Sequence, residues 1–319
     1  METKLLLVHA LSPLHAGIGQ GMGVIDLPIA REKGTHFPYL PGSSLKGVLR
    51  EACNAELKSE NKPDEKEPRS SEITKSLFGP ESQEAHEHAG ALVFSDQRLL
   101  LFPVRALQGV FAWVTCPLVL ERFARDLGEL KAGAESLKSL QVPKVVSSEH
   151  LLIATDTVLR HKDNVYLEDL DLKVQAEPDS KTNSVNRWAD ALGPMLFPEG
   201  SHKASAWQTQ LRQRLCVVHD DVFAFLVETA TEINARIRLE PKTKTVAKGG
   251  LWYEENLPAE TVLSGFVTFL PNDKTLRQDK TKMSVADAWG YLGKLTLSPR
   301  QLGGKATVGR GLCHLRFKH

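Results

Sequence analysis

The sequence predicts an α+β fold whose core is a ferredoxin-like βαββαβ unit. Three stretches carry the prediction. "KLLLVHALSP" (4–13) is an apolar run of strand type that ends in a Ser-Pro turn. "PGSSLKGVLREACNAELKS" (41–59) opens on a turn dipeptide, and Leu45, Val48, Leu49 and Ala52 then recur at helical spacing. "ALVFSDQRLLLFPVR" (91–105) holds two apolar runs separated by Ser95-Asp96-Gln97 and reads as a hairpin, with helical periodicity following in "CPLVLERFARDLGEL" (116–130). Strand, helix, hairpin and helix in that order make up most of the unit.

The rest of the chain extends this core. Residues 59–90 hold eight acidic and four basic residues, a net −4, and read as a polar, finger-like acidic insertion anchored at Leu77-Phe78. "RHKDNVYLEDLDLKVQAEP" (160–178) alternates about a Lys-Asp-Asn turn and suggests a long hairpin. "VNRWADALGPM" and "AWQTQLRQRLC" suggest short helices, and "HDDVFAFLVETA" one capped at Asp220 or Asp221. "INARIRLE" is a strand with Arg236 and Arg238 on one side and Ile233, Ala235, Ile237 and Leu239 on the other. "ETVLSGFVTFL", "SVADAWGYLGKL" and "GLCHLRF" then give strand, helix and strand, a second set of elements without a clear sequence repeat. Trp113, Trp188, Trp207 and Trp289 are assigned to packing.

With 319 residues and 41% of them hydrophobic, the chain has ample material for a core, and its length allows either roughly two domains or one elaborated domain. A net charge of +1 argues against binding polyanions over the whole surface, but leaves room for a local basic groove. No run approaches the ~20 apolar residues of a membrane helix, and the first apolar run lacks a cleavage pattern, so it is read as a strand. Cys53, Cys116, Cys216 and Cys313 lie far apart with no C-x-x-C pair, which argues against cysteine-bound zinc and a disulfide framework. A cytoplasmic protein with no membrane partner is expected.

Two glycine clusters mark where chemistry belongs. "LHAGIGQGMGVIDLPIARE" (14–32) sets Gly17, Gly19, Gly21 and Gly23 at alternate positions before the lone Asp26. Glycine gives up much entropy on ordering, so such a cluster marks close approach of backbone to something. "LGGKATVGRGLCHLRFKH" (302–319) interleaves glycine with Lys305 and Arg310, and residues 300–319 carry five basic and no acidic side chains. Amides and cations in alternation suit phosphate contacts. Neither cluster is a small-nucleotide motif. Gly304-Lys305 is followed by Ala306 instead of Ser or Thr, and a G-x-G-x-x-G started at Gly17 meets Met22 at its last position. The helix starting near Ser44 turns its first amides toward the same kind of ligand. "AHEHAG" offers His86 and His88 in the acidic insertion with no further ligands, and reads as solvated loop.

"IDLPIARE", "PGSSLKGVLRE", "GGLWYEENLP" and "LGGKATVGRG", in this order along the whole chain, resemble the RAMP superfamily and, within it, the repeated backbone subunit of type III-B CRISPR (Cmr) effector complexes. The type III-A backbone subunit shares the S-S-L-K-G turn but lacks the L-P-I-x-R-E continuation. The resemblance implies a single domain over 1–319, a modified RNA-recognition (RAMP) core with inserted fingers and a protruding thumb hairpin, which is placed within 140–185. It implies copies stacked into a helical filament on a guide RNA, with the other Cmr subunits and a complementary target RNA as partners. Guide phosphates would follow Gly17, Gly19, Gly21, Ser43, Ser44, Lys46 and Arg50, together with Lys248, Gly303, Gly304, Lys305, Gly309 and Arg310. The family's catalytic aspartate matches Asp26, with His15, Tyr253, Glu254 and Glu255 as assistants. Asn256 departs from the aromatic that often follows Tyr-Glu-Glu.

RNA is cut by its own 2′-hydroxyl once the backbone is splayed into an in-line geometry, and positioning of this kind lowers the barrier by several kcal/mol. An ordinary aspartate, with a pKa near ~4, is a poor base for a sugar hydroxyl. A metal-linked or orienting role for Asp26 is therefore expected, with Mg²⁺ or Mn²⁺ stabilising the phosphorane charge. The alternatives are a non-catalytic scaffold that binds guide RNA and leaves cutting to another subunit, and a guide-processing ribonuclease led by a histidine. Asp26 separates the first of these from a cutter, since a scaffold has no use for a carboxylate there.

Overall fold

A computed structural model of the chain describes residues 1–19, 21, 24–60, 69–80, 86, 88–128, 130, 140–177, 183–270 and 284–318. The first half contains β1 (Glu2–Ala10), β2 (Tyr39–Leu40), α1 (Gly42–Glu60), α2 (Arg69–Phe78), β3 (Leu92–Phe94), β4 (Gln97–Arg105), β5 (Phe111–Thr115) and α3 (Pro117–Gly128). The middle adds β6 (His150–Ile153), β7 (Asn164–Leu167), β8 (Leu170–Val174), α4 (Ser184–Leu196), α5 (Ala204–Arg214), β9 (Leu215–Val218) and α6 (Asp220–Thr229). β10 (Glu232–Leu239), β11 (Val246–Asn256), β12 (Val262–Phe269), α7 (Val285–Leu295), β13 (Arg300–Gln301) and β14 (Leu312–Lys318) complete it.

The main sheet runs β13-β14-β1-β12-β4-β5-β9-β6-β8-β7, with β3 also beside β12 and β2 beside β4. β1 lies between β14 and β12 and is antiparallel to both. Leu5, Leu6, Leu7 and Val8 are all buried, because both faces of this strand are covered. Residues of opposite parity meet different layers. The Lys4 ammonium lies over the ring of Trp289 in α7, whereas the His9 ring meets Phe197, just past α4, edge-on.

The ferredoxin-like unit is present; its first strand, first helix and second strand fall in the segments that the sequence suggested, and its second half does not. In space it is β1–α1–β3/β4, then β12–α7–β14, with strands in the order β14-β1-β12-β3/β4. Everything from β5 to β11 is inserted between its second and third strands. The two apolar runs at 91–105 do not form a hairpin. Both pair antiparallel with β12, Phe94 opposite Val267 and Arg98 opposite Ser264, as one strand interrupted at Ser95-Asp96. The interruption frees the Asp96 carboxylate to accept the Gly42 amide at the start of α1, 2.8 Å away. A side chain on Gly265 would strike Gln97 and the Asp96 carbonyl there. The hairpin partner of β4 is β5.

Residues 150–174, inside the expected thumb (140–185), do not protrude; their three strands complete the far end of the main sheet. The expected turn at Lys162-Asp163 is present, closed by the bridge between His161 and Asn164, but the two strands β7 and β8 turn at Glu168-Asp169. The hairpin that stands off the main sheet is β10–β11, a separate two-stranded sheet. Within 59–90, Arg69–Phe78 is helical and Leu77 and Phe78 are buried as the expected anchor, while 61–68, 81–85 and 87 lie outside the described residues. α6 is capped by the His219 side chain. Asp220 instead accepts the Leu118 amide, tying the start of α3 to the start of α6. Trp113 and Trp188 are fully buried and Trp289 nearly so, as packing predicts; Trp207 is partly exposed and stacks on Phe197.

Candidate functional site

Three segments far apart in sequence converge beside β1: the glycine loop 14–31, the end of β11 and the C-terminal glycine loop 302–311. Bridges join Leu14 to Leu257, His15 to Gly304, Gly17 to Ile29, and Leu27 in parallel to Glu254. Three of the four motifs that the sequence singled out thus form one structural site.

Asp26 is exposed at the edge of this junction. Its Oδ2 accepts the Tyr253 amide at 2.8 Å, and its carbonyl accepts the Gly21 amide at 2.9 Å. Leu27 continues the contact in both directions, its amide donating to the Tyr253 carbonyl and its carbonyl accepting from the Glu255 amide. The carboxylate is therefore held from behind by backbone and presented outward. Gly19 sits at φ +98° with open space where a Cβ would project, and Ile18 and Val24 are exposed around it. Gln20, Met22 and Gly23 lie outside the described residues.

The other expected assistants are built inward. His15 is buried, and its Nδ1–H donates to the Glu255 carbonyl at 2.7 Å. A Cβ on Gly17 would lie 2.5 Å from His15 Nε2, and one on Gly304 would lie 3.1 Å from Cδ2. These two glycines admit the imidazole between their backbones, so His15 acts as a strut of the loop. Tyr253 is partly exposed, opposite Ala235 on the hairpin.

Glu254 is only 2% exposed and accepts from Trp252 Nε1 at 2.8 Å, with Lys305 Nζ at 3.0 Å and Arg236 Nε at 3.2 Å. Burial raises its pKa, but the Trp252 and Lys305 hydrogen bonds, the Lys305 charge and the Arg236 bond outweigh it, leaving the carboxyl below its ordinary value. It ties the hairpin to the C-terminal loop. Replacing Glu254 by Gln is expected to cost about 1–2 kcal/mol at neutral pH, the low end for charge-assisted bonds because Lys305 and Arg236 are one-third exposed. A depressed carboxylate stabilises above its unfolded pKa, and this is lost as pH falls through the folded value. The gap between wild type and variant, read by urea unfolding, should therefore close from neutral toward strongly acidic pH.

Lys305, expected at RNA, is thus already paired with Glu254, and Arg310 reaches Glu232 at 3.7 Å. At the start of α1, Ser43 is exposed, while Arg50 donates to the Pro80 carbonyl at 2.8 Å. Lys46 is half-buried, and its pKa is lowered by that burial and then by the Arg50 charge. Lys248 is exposed on β11. Asn256 is fully buried with neither amide atom hydrogen-bonded among the described residues.

A basic concavity that the sequence reading missed joins the loop to α1. Arg31, Lys33, Arg98 and Arg122, with Glu32, Asp96, Tyr39 and Ser95, line a cavity of about 510 Å³. Arg122 is bidentate to Glu32 at 2.6 and 2.8 Å, which raises the guanidinium's pKa. Burial raises that of Glu32, but Arg122 and Thr35 draw it below the usual range. Of these residues only Arg31 and Glu32 lay in a recognised motif; Arg98 comes from β4 and Arg122 from α3.

A divalent cation needs several hard oxygen ligands. Asp26 brings one carboxylate, half of it engaged by Tyr253. Among the described residues no group of three or more His, Cys, Asp or Glu side chains gathers to hold a metal ion. The described residues do not make a protein cage for the expected Mg²⁺ or Mn²⁺.

A ferredoxin-like core thus brings two glycine loops, a basic concavity and an outward carboxylate to one edge, an arrangement suited to a phosphate backbone. Residues 7–314 match the family model of the RAMP superfamily, and the chain belongs to it, in the branch of the Cmr4 proteins. It is 37% identical over 319 residues to the CRISPR system Cmr endoribonuclease Cmr4 of Pyrococcus furiosus, covering 100% of this chain and 96% of that protein. The CRISPR system CMR subunit Cmr4 of Saccharolobus solfataricus is 26% identical over 98% of this chain and 96% of its own length. The crystal structure of oligomeric Cmr4 from P. furiosus superposes with a TM-score of 0.69 at 27% identity, covering 100% of this chain and 98% of that one. A type III-B Cmr-beta complex bound to cognate target RNA contains a chain of the same fold, with a TM-score of 0.68 at 18% identity over 99% of this chain and 97% of that chain.

Proposed function

We propose that this chain is the repeated backbone subunit of a type III-B Cmr ribonucleoprotein, that it binds guide RNA along a filament of its own copies and the other Cmr subunits, and that it cleaves the complementary target RNA. The observation that carries the reading is Asp26, exposed and oriented by the Tyr253 amide, in a chain with full-length identity to a Cmr4 endoribonuclease. Guide and target would meet in the cytoplasm. Four buried free cysteines fit that compartment, and no helix among the described residues is long and apolar enough to cross a membrane.

Guide phosphates would lie against the glycine loops and the start of α1, near Gly19, Gly309 and Ser43, with Lys46, Lys248 and Lys305 adding charge. The thumb is assigned to the β10–β11 hairpin instead of 140–185. Its Ile233, Ile237, Leu239, Val246, Leu251 and Tyr253 are exposed, and registry places Ile237 opposite Leu251 and Leu239 opposite Val246, one apolar face. Target RNA splayed beside this hairpin presents a 2′-hydroxyl for in-line attack on its own phosphate; as the 2′-oxygen bonds to phosphorus the P–O5′ bond breaks, leaving a 2′,3′-cyclic phosphate and a 5′-oxygen that takes up a proton from water. Asp26 accepts or orients the proton of that hydroxyl, the phosphate oxygens being neutralised by neighbouring cations. No step is assigned to a metal held by the protein.

The test is cleavage of end-labelled RNA by the assembled complex, with complementary and unrelated RNA, for wild type and Asp26→Ala. Evenly spaced products from complementary RNA alone, lost in the variant, support the reading. An unchanged ladder makes this subunit a scaffold. Changing both Ile237 and Leu251 to Ser is expected to alter stability by less than about 1 kcal/mol, since both are half exposed, yet to blur the spacing of the products; thermal unfolding and a sequencing gel measure the two effects.

A further inference from the structure

We propose that the buried Arg31–Glu255 pair is the positioning device for Asp26, setting the register of residues 27–29 against the end of β11. The proposal rests on the ribonuclease reading above. Glycine-rich segments specify register weakly, and a slip by one residue turns every side chain to the opposite face. Two backbone bonds alone, both through Leu27, fix the loop against Tyr253 and Glu255. Glu255 supplies a third rung with its side chain, since its Oε2 accepts the Ile29 amide at 3.1 Å.

The same carboxylate is fixed in turn. Its Oε1 accepts from Arg31 Nη2 at 2.6 Å and from the Thr231 hydroxyl at 3.0 Å. The Arg31 guanidinium, only 10% exposed, also donates to the Val227 carbonyl at the end of α6 at 3.1–3.2 Å and to the His36 carbonyl at 3.0 Å, with Glu228 at 3.3 Å. Both members are thus anchored to rigid elements on either side of the loop. A buried ion pair adds little net stability over apolar residues of like volume, and its best-attested use is to specify one arrangement. Here the arrangement chosen is the one in which the Tyr253 amide meets Asp26 Oδ2.

Complexes carrying Glu255→Gln, Glu255→Leu, Arg31→Lys or Asp26→Ala would be compared with wild type in single-turnover cleavage, target binding and residue-resolved amide hydrogen exchange. Arg31→Lys keeps the charge and loses the planar fork. The cleavage rate should fall roughly tenfold for Glu255→Gln and Arg31→Lys and roughly a hundredfold for Glu255→Leu, the scale of an ångström-sized misplacement. Target affinity should hold within about twofold, and the Tyr253 amide should lose protection while β1 and β12 keep theirs. Wild-type cleavage in Glu255→Leu, or an unchanged Tyr253 amide, would overturn the proposal. So would a parallel loss of binding and of core protection, which is what a merely structural pair would give. If Asp26→Ala still cuts, it is the ribonuclease reading that fails, and the Tyr253 amide alone then decides whether the pair sets the register.

Discussion

Asp26→Asn should slow target cleavage by roughly 10²–10⁴-fold, the range for losing a positioned proton acceptor, with target affinity unchanged. Asparagine keeps an oxygen that can accept the Tyr253 amide, and the bond from the Gly21 amide to the residue 26 carbonyl involves no side chain. The loop therefore keeps its path, and the charge and basicity alone are removed. Alanine removes the acceptor as well. Equal losses in Asn and Ala would assign the effect to the charge; a nearly active Asn would mean that orientation of the loop is what Asp26 provides. Because the side chain is exposed and forms no ion pair among the described residues, neither change should measurably affect folding. Single-turnover cleavage of labelled RNA, with a parallel band-shift titration, separates the two quantities.

The elements themselves were legible where period and caps agree. Ser284 and Asp287 form a capping box before α7, and β12 alternates between buried and partly exposed residues. What periodicity does not encode is which strand meets which. The runs on either side of Ser95-Asp96 read equally well as a hairpin or as one broken strand, and only pairing with β12, some 170 residues later, decides between them. For the same reason the second half of the ferredoxin-like unit was not traced to 262–318.

At the site, Asp26 was legible because a lone carboxylate follows a glycine cluster in a recognised motif. The inward roles of Glu254 and Glu255 were not. Adjacent strand residues should face opposite ways, yet both are buried, because the end of β11 is covered on one side by the C-terminal loop and on the other by the glycine loop. Arg98 and Arg122 carry no local signal at all. Their meaning comes from β4, α3 and the loop closing on one concavity.

The glycines divide by what stands in front of them, and one pair in the C-terminal motif gives the largest expected effect on stability. Gly309 and Gly311 have nearly the same φ, +79° and +78°. Alanine at either costs about 1–2 kcal/mol for the left-handed backbone alone. At Gly309 nothing lies within 4 Å of the added Cβ, so that is the whole cost. At Gly311 the Cβ would fall 1.9 Å from the Leu302 carbonyl oxygen. Backbone has to move, and the bonds at stake are Leu302 N–H to the Gly311 carbonyl and Gly311 N–H to the Pro13 carbonyl, each 2.8 Å. Losing both adds about 1 kcal/mol apiece, so Gly311→Ala should cost about 3–4 kcal/mol in all. Urea unfolding of the two single variants tests the difference. The RNA readout should run the other way: Gly309→Ala, which places a methyl group on the open face of the C-terminal glycine loop, should weaken guide-RNA binding more than its small stability cost explains. Gly311→Ala should act on RNA only through the fraction that unfolds. Equal stability losses in the two variants would mean that the Leu302 turn yields to the added carbon, and the distinction between a packing glycine and a ligand-facing one would fall with it.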